Sequence, residues 1–393
     1  MLAILFALGA CGGDGSSDPQ PPAAPQNLQA TAGGGEVLLQ WMDVAGVDGY
    51  TLYHATGGGI QPDNFGIWVS QHDGVMVENV TSPHTVGGLT NGTEYFFVVT
   101  ATAGGQESAP SNESSAVPAH AAVDGVRSPG EYGPAVSVQT VQTQFGDNFT
   151  ELNAAYARVS DGTLYLMLTG NLEGNFNKLN VFIDSQAGGQ NVINGALNPP
   201  NDGWAAAHNG MRFDAGFEPD YLLIMRHGAG KFDLDYAVIG GGPTDFDFFG
   251  NVFGGTQQGS ATTPSGPNLG HSFMIGFNNS NTAGVTGGIG AADQAAALAV
   301  TTGIEIGIPL AAIGNPANGA EVRISAMVNG SSHNYLSNQL LGGLQPPQGN
   351  LGGDGFGNFT GGLSGINLNN FPGEQFFTIV IPEPSAGLLL GCN

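Results

Sequence analysis

A loop that carries a tryptophan among amides, a carboxylate and an imidazole has the side chains needed to hold a sugar. Trp204 closes the run Asn201-Asp202-Gly203-Trp204 and is followed by His208-Asn209. Its ring would stack on the C–H face of a pyranose while the neighbouring polar groups take the hydroxyls. Asp220 and Tyr221 follow closely enough to join them. A second reading stands beside the first, in which Trp204 plugs the edge of a folded core, because large aromatics are mostly buried whatever their role.

Carboxylates recur at i, i+2 in Asp233/Asp235 and Asp245/Asp247. Strand alternation would put each pair on one face, where a calcium ion could bridge it. Calcium is the only cofactor these residues suggest. For Asp233 and Asp235 the plainer reading is favoured: a solvent-facing polar strand face with Phe232, Leu234 and Tyr236 turned inward, since calcium loops need six or more oxygen ligands. Catalysis finds no comparable support. The chain has neither a G-x-S-x-G nucleophile elbow nor a His-Glu-x-x-His zinc motif, and its eight histidines are scattered. Runs such as Gly240-Gly241-Gly242 lack the lysine and strand-loop-helix setting of a phosphate cradle and read as turns.

The frame holding these residues follows from composition. A chain of 393 residues has room for two or three domains. Its 7 Lys and Arg against 32 Asp and Glu leave a charge of −25, too acidic for nucleic acid or an anionic membrane as partner. Glycine is abundant, at 66 residues, yet 41% of the chain is hydrophobic, which excludes a disordered polypeptide. The pattern predicts short strands and many turns. With cysteines only at 11 and 392 there is no disulfide framework and no Cys-based zinc site.

The two ends read as address labels. Leu2 to Ala10 is a short apolar run ending in small residues, too brief to span a bilayer. Leu8-Gly9-Ala10-Cys11 resembles the bacterial lipoprotein signal, which implies lipid attachment at Cys11. Residues 1–11 are then an export signal and 12–21 a linker. Ile381-Pro382-Glu383-Pro384-Ser385 and the apolar residues after it resemble the start of a PEP-CTERM sorting signal. Residues 383–393 are read as a truncated form of it. Membrane contact is expected only through these two ends, on a bacterial cell surface or in its matrix.

Between residues 22 and 118, apolar and polar residues alternate over short runs broken by Gly, Asp and Asn, the pattern of a β-sandwich. Val37, Leu39 and Trp41 share one strand face; Tyr95, Phe97 and Val99 share another, and the two should meet across a core. Pro25 to Ala30, Trp41, Tyr50, Leu89 to Tyr95 (LTNGTEY) and Glu107 to Ser111 together resemble a fibronectin type III domain. That likeness implies a corner in which the Tyr95 hydroxyl bonds back to nearby backbone. In the long Gly57 to Val80 segment, Phe65 and Trp68 are expected to cap one open end of this core, the other reading being a binding patch with His72.

Residues 119–382 read as a larger antiparallel sandwich. Strand candidates include 154–158, 163–169, 179–184, 220–225, 232–238, 272–277, 303–308, 321–328 and 375–381, with helical character only at 291–299 and 310–314. No helix is long enough for a parallel crossover. Asp124-Gly125, Glu131-Tyr132, Asp161 to Leu166, Val181 to Asp184 and Glu305 to Leu310 occur in an order that resembles family 9 carbohydrate-binding modules and related DOMON-like sandwiches. The expectation is an all-β protein of two tandem sandwiches. Its expected role is non-enzymatic, an exported surface or matrix protein that binds polysaccharide or a cell-surface partner. The alternatives are a self-associating matrix or sheath protein and an accessory module of a polysaccharide-degrading system.

Overall fold

The computed structural model describes residues 20–118, 122–255 and 257–382. Cys11, the export signal, residues 12–19 of the linker and the sorting tail at 383–393 lie outside the described residues. The chain divides into two units, Met1–Ala119 and His120–Asn393, and both are built from antiparallel sheets. The architecture is all-β. Among the described residues no helix is long and apolar enough to cross a membrane.

In the first unit, a sheet of Gln26–Ala32, Glu36–Met42 and His84–Gly87 faces a sheet of Val75–Val80, Gly49–Ala55, Tyr95–Ala103 and Gln106–Glu107, with Ser114–Ala116 added beside Tyr95–Ala103. Alternation decides the core: Val37, Leu39 and Trp41 meet Leu52, Tyr95, Phe97 and Val99 between the sheets. Phe65 and Trp68 are placed differently from the capping role expected of them. The turn around Pro62–Asn64 and the helix Gly66–Gln71 lay them on the outer face of the second sheet, against Tyr53, Ala55 and Val98. Those three have the opposite parity to Leu52, Phe97 and Val99, so their face needed a cover of its own.

His54 lies buried against Tyr95 and Phe97 with its Nδ1 unpartnered. Burial, helped by nearby His84, holds its pKa down at about 4. The unfolded chain binds the proton near pH 6.5, so stability is full above that value and falls as pH drops toward 4. At pH 4.5 the first unit is expected to lose about 2–3 kcal/mol relative to a His54→Leu variant compared at the same two pH values. Hydrogen exchange at the Leu52 and Phe97 amides of the full chain measures this; parallel pH profiles for the two proteins would refute it.

The second unit packs a six-stranded sheet on a seven-stranded one. The first runs Gln258–Thr262, Met274–Asn278, Gly303–Pro309, Thr163–Asn171, Glu151–Ser160, Ser137–Val138. The other runs Phe246–Gly254, Lys231–Val238, Tyr221–Gly228, Asn175–Asp184, Glu321–Asn329, Leu336–Leu341, with Phe377–Val380 also pairing to Glu321–Asn329. Leu164, Leu166 and Leu168 of one sheet meet Leu179, Val181 and Ile183 of the other in the main core. The landmarks Asp124-Gly125 and Tyr132 converge on Glu305: its carboxylate accepts the Asp124 and Gly125 amides at 2.9 and 3.1 Å and the Tyr132 hydroxyl at 2.6 Å. Burial raises the Glu305 pKa to about 7.

The outer face of the seven-stranded sheet is also covered. Phe182, Leu222, Ile224 and Ala237 on that face pack against Trp204, Met211, Phe213 and Phe217 from one long connection and Leu363, Ile366, Leu368 and Phe376 from another. Each buried strand is therefore apolar on both faces along much of its length. A second core of this kind needs segments far apart in sequence.

Candidate functional site

The covered face changes from apolar to charged along the strands. Antiparallel register places Phe182, Leu222, Ala237 and Phe246 in one row, then Asn180, Ile224, Asp235 and Phe248, then Lys178, Arg226 and Asp233. Three of the seven basic side chains of the chain, Lys178, Arg226 and Lys231, gather beside this last row. The reason lies in the hairpin between Tyr221–Gly228 and Lys231–Val238. Ala229 and Gly230 both have positive φ (49° and 75°), the two-residue turn that sets Arg226 opposite Asp233.

Asp202 closes the cluster from above. Asp202 and Gly203 take left-handed φ values of 53° and 77°, which a short polar residue and a glycine tolerate. The chain reverses there, so that Asp202 points back over the sheet and Trp204–His208 begins a helical turn. The Asp202 carboxylate accepts from Lys178 Nζ at 2.8 Å, His333 Nε2 at 2.9 Å and Arg226 Nη1 at 3.1 Å. Burial alone would raise its pKa, but the His333 and Lys178 bonds and the Arg226 charge hold it down at about 2. For Asp235 the balance falls the other way: burial outweighs Arg226 and its pKa is raised.

An open cleft of about 270 Å³ lies over this cluster, lined by Asn201, Asp202, Arg226, Asp235, Phe246 and Phe248. Phe248 is 47% exposed, and the Arg226 guanidinium carbon lies 5.2 Å from its ring centroid. This is a cation–π contact that props the ring at the rim. Asp202 and Asp235 both bind Arg226 Nη1, so the two carboxylates of the cleft grip one cation and do not flank an empty gap.

The structure places the residues singled out above as follows. Trp204 is fully buried, so it presents no face to a ligand; its indole N–H donates to Asn201 Oδ1 at 3.2 Å. Of its two readings the core one applies, because long-range packing covers this face of the sheet. His208 is buried beneath it. The partners assign its tautomer: Nδ1–H donates to the Trp204 carbonyl at 2.9 Å and Nε2 accepts from Asn180 at 3.2 Å. Burial keeps it neutral, with a pKa near 3. Asn209 is exposed, but its Oδ1 holds the Gly195 amide. Asp220 accepts the Ser185 and Gln186 amides, and Tyr221 faces the inter-sheet core beside Tyr236. Asp220 and Tyr221 therefore do not join Trp204, which packs on the opposite face.

The acidic pairs are corrected as well. Asp233 and Asp235 do share a face, but it is not solvent-facing: they are 3% and 2% exposed. Asp233 takes the Asn251 amide with Arg226 and Lys231 nearby, and Asp235 takes Asn201 and Arg226, so the chain's own cations occupy the place proposed for calcium. Asp245 lies before the strand Phe246–Gly254 and accepts the Gly242 amide. Asp247 is buried and accepts the Asn268 and Leu269 amides. Among the described residues no group of three or more His, Cys, Asp or Glu side chains is arranged to hold a metal ion. Arg226, Lys178 and Phe248 were missed by the sequence reading; the Ala229-Gly230 hairpin was the signal that could have paired Arg226 with Asp233.

In the first unit, the Tyr95 hydroxyl accepts the Thr90 amide at 3.1 Å, closing a tyrosine corner. Residues 23–117 match the fibronectin type III domain. Fibronectin type III domains are typically non-catalytic scaffold modules. Solved structures similar to part of the chain include a fibronectin type III-like protein from Clostridium thermocellum, 26% identical with a TM-score of 0.21, covering 26% of this chain and 96% of that one. Another is the fibronectin type III domain of the human collagen alpha-1(XX) chain, 23% identical with a TM-score of 0.21, covering 27% of this chain and 94% of that one. No curated protein matches the chain.

Proposed function

We propose that this protein is an exported, non-enzymatic polysaccharide-binding protein. The fibronectin type III domain serves as scaffold or spacer, and the second unit engages the glycan at the Phe248 cleft. The observation that carries the reading is an aromatic ring, half-exposed and held from beneath by Arg226, at the rim of a cleft that also offers Asn201, Asp202 and Asp235. A ring in that position stacks on the apolar face of a sugar, and locked polar groups take hydroxyls without a large ordering cost. The likeness of residues 119–382 to family 9 carbohydrate-binding modules supports the same class. Glycoside hydrolysis would need two carboxylates set on opposite sides of a bond. Asp202 and Asp235 sharing Arg226 favours binding over cleavage.

A Phe248→Ala variant of the full chain is expected to weaken binding to its best glycan about 10-fold or more, a stacking contribution near 1.4 kcal/mol. Its stability should fall by no more than about 2 kcal/mol, from the lost cation–π contact and the half-buried ring, so the variant stays folded. A panel of neutral and uronic-acid polysaccharides, with and without chelator, supplies the measurement. Undiminished binding by the variant would remove the cleft from consideration.

A further inference from the structure

A second cleft, of about 370 Å³, opens at one end of the same sandwich and shares no lining residue with the Phe248 cleft. Four connections build it. Asn148 and Phe149 precede the strand Glu151–Ser160; Glu173, Gly174 and Asn175 join Thr163–Asn171 to Asn175–Asp184; Gln257 precedes Gln258–Thr262; Asn279 follows Met274–Asn278. Phe149 is 62% exposed, an apolar ring turned to solvent among amides. The surrounding backbone is tied down. Asn148 N–H donates to Glu151 at 2.9 Å, Phe149 N–H to Gly146 at 3.1 Å and Glu173 N–H to Thr150 Oγ1 at 3.2 Å.

The polar groups are held in mutual register as well. Asn279 Oδ1 accepts the Leu172 amide at 2.8 Å, its Nδ2 donates to Gln257 Oε1 at 2.9 Å, and Asn175 Nδ2 donates to Glu173 Oε2 at 2.6 Å. Each of these side chains keeps further donor or acceptor capacity, because an amide offers two hydrogens and two lone pairs. Among the described residues no lysine or arginine lines the cleft, and the chain carries −25. An anionic ligand would be repelled. A wholly apolar one would leave the remaining hydrogen-bonding capacity of four amides and a carboxylate unmet and cut off from water, at a cost for each.

We propose that this cleft is a second binding site, for a neutral saccharide, with Phe149 as the stacking platform and Asn148, Asn175, Gln257, Asn279 and Glu173 as hydroxyl partners. The site goes beyond the Phe248 reading and does not depend on it. Fixed amides around one exposed ring suit a rigid ligand that is apolar on one face and hydroxylated at its rim.

The test is calorimetric titration of the full chain with neutral hexasaccharides of glucose, mannose, xylose and N-acetylglucosamine, and separately with a uronic-acid hexamer. Parent, Phe149→Ala, Phe149→Tyr, Phe248→Ala and the double alanine variant are compared. At least one neutral hexamer is expected to bind, to weaken 10-fold or more with Phe149→Ala, to recover with Phe149→Tyr and to persist with Phe248→Ala. If both sites take the same hexamer, the stoichiometry falls from two to one in each single variant and to none in the double. Neutral binding lost only with Phe248→Ala overturns this site while leaving the first cleft standing. Neutral binding unchanged by Phe149→Ala overturns it too, as does no neutral binding at all; uronic binding lost with Phe248→Ala would still keep the first cleft.

Discussion

Asp202→Ala is expected to destabilise the second unit by about 3–5 kcal/mol, the cost typical of breaking a buried ion pair from one side. The carboxylate accepts from Lys178, Arg226 and His333, all three largely buried. Without it Lys178 loses the only salt bridge it makes among the described residues, and two cations face a neutral imidazole. Asp235 and Asp233 can still hold Arg226, which is why the loss stays finite. The pH dependence identifies the cause. A carboxyl held at about 2 in the folded protein, against about 3.9 unfolded, contributes stability that is complete above pH 4 and is lost as pH falls through 2. The gap between parent and variant should therefore be flat from pH 7 to 4 and shrink below it. Urea unfolding of both proteins, followed through second-unit amides, provides the comparison. A gap below 1 kcal/mol would mean that solvent screens these charges despite their burial.

Trp204→Ala is expected to cost about 3–5 kcal/mol as well, by a different route. The indole is fully buried among the apolar side chains that cover the outer sheet face, and the truncation leaves a void there. The loss also frees Asn201, which holds the indole N–H with its oxygen and Asp235 with its amide nitrogen. The wall of the Phe248 cleft would loosen along with the core. Any fall in glycan binding by this variant should then track the fraction unfolded, and Trp204→Phe should restore much of both. A variant that kept its stability within 1 kcal/mol yet bound no glycan would put the ring back against ligand.

Much of the frame was legible in the sequence, for a local reason. Alternation in Glu36–Met42 and Tyr95–Ala103 identifies core faces because a strand repeats every two residues. Tyr95 sits where the LTNGTEY turn delivers it, and its bond to Thr90 spans five residues. The helix at Gln294–Ala299 follows from an alanine run after Asp293, whose side chain caps two amides. Likewise Phe232, Leu234 and Tyr236 face the main core as their spacing implies, and Asp233 and Asp235 share the other face. The strands Phe246–Gly254 and Leu336–Leu341 escaped detection. Phe246–Gly254 is broken by glycine and asparagine at an edge, and Leu336–Leu341 is buried throughout despite Ser337, which bonds Val328 of the adjoining strand, and Asn338 and Gln339, which bond the distant Gln142 carbonyl.

The candidate sites were less legible, and the same periodicity explains why. It says which residues share a face and is silent on what lies over that face. Had the outer side of the seven-stranded sheet been open to water, Trp204 would have been a platform and Asp233 and Asp235 a solvated pair. Two long connections lie over it instead, and low dielectric then demands that each buried charge find a partner.

From sequence alone the chain was bound to be acidic, all-β and divided after a fibronectin type III-like start, because charge, alternation and turn residues act locally or by simple addition. Tertiary structure alone decided that three of the seven basic side chains meet three aspartates, that Phe248 stands at the rim while Trp204 is buried, and that Phe149 and Asn279, far apart in sequence, line one cleft. Those pairings depend on which surfaces bury one another, a property of the packed chain as a whole that no single stretch of it carries.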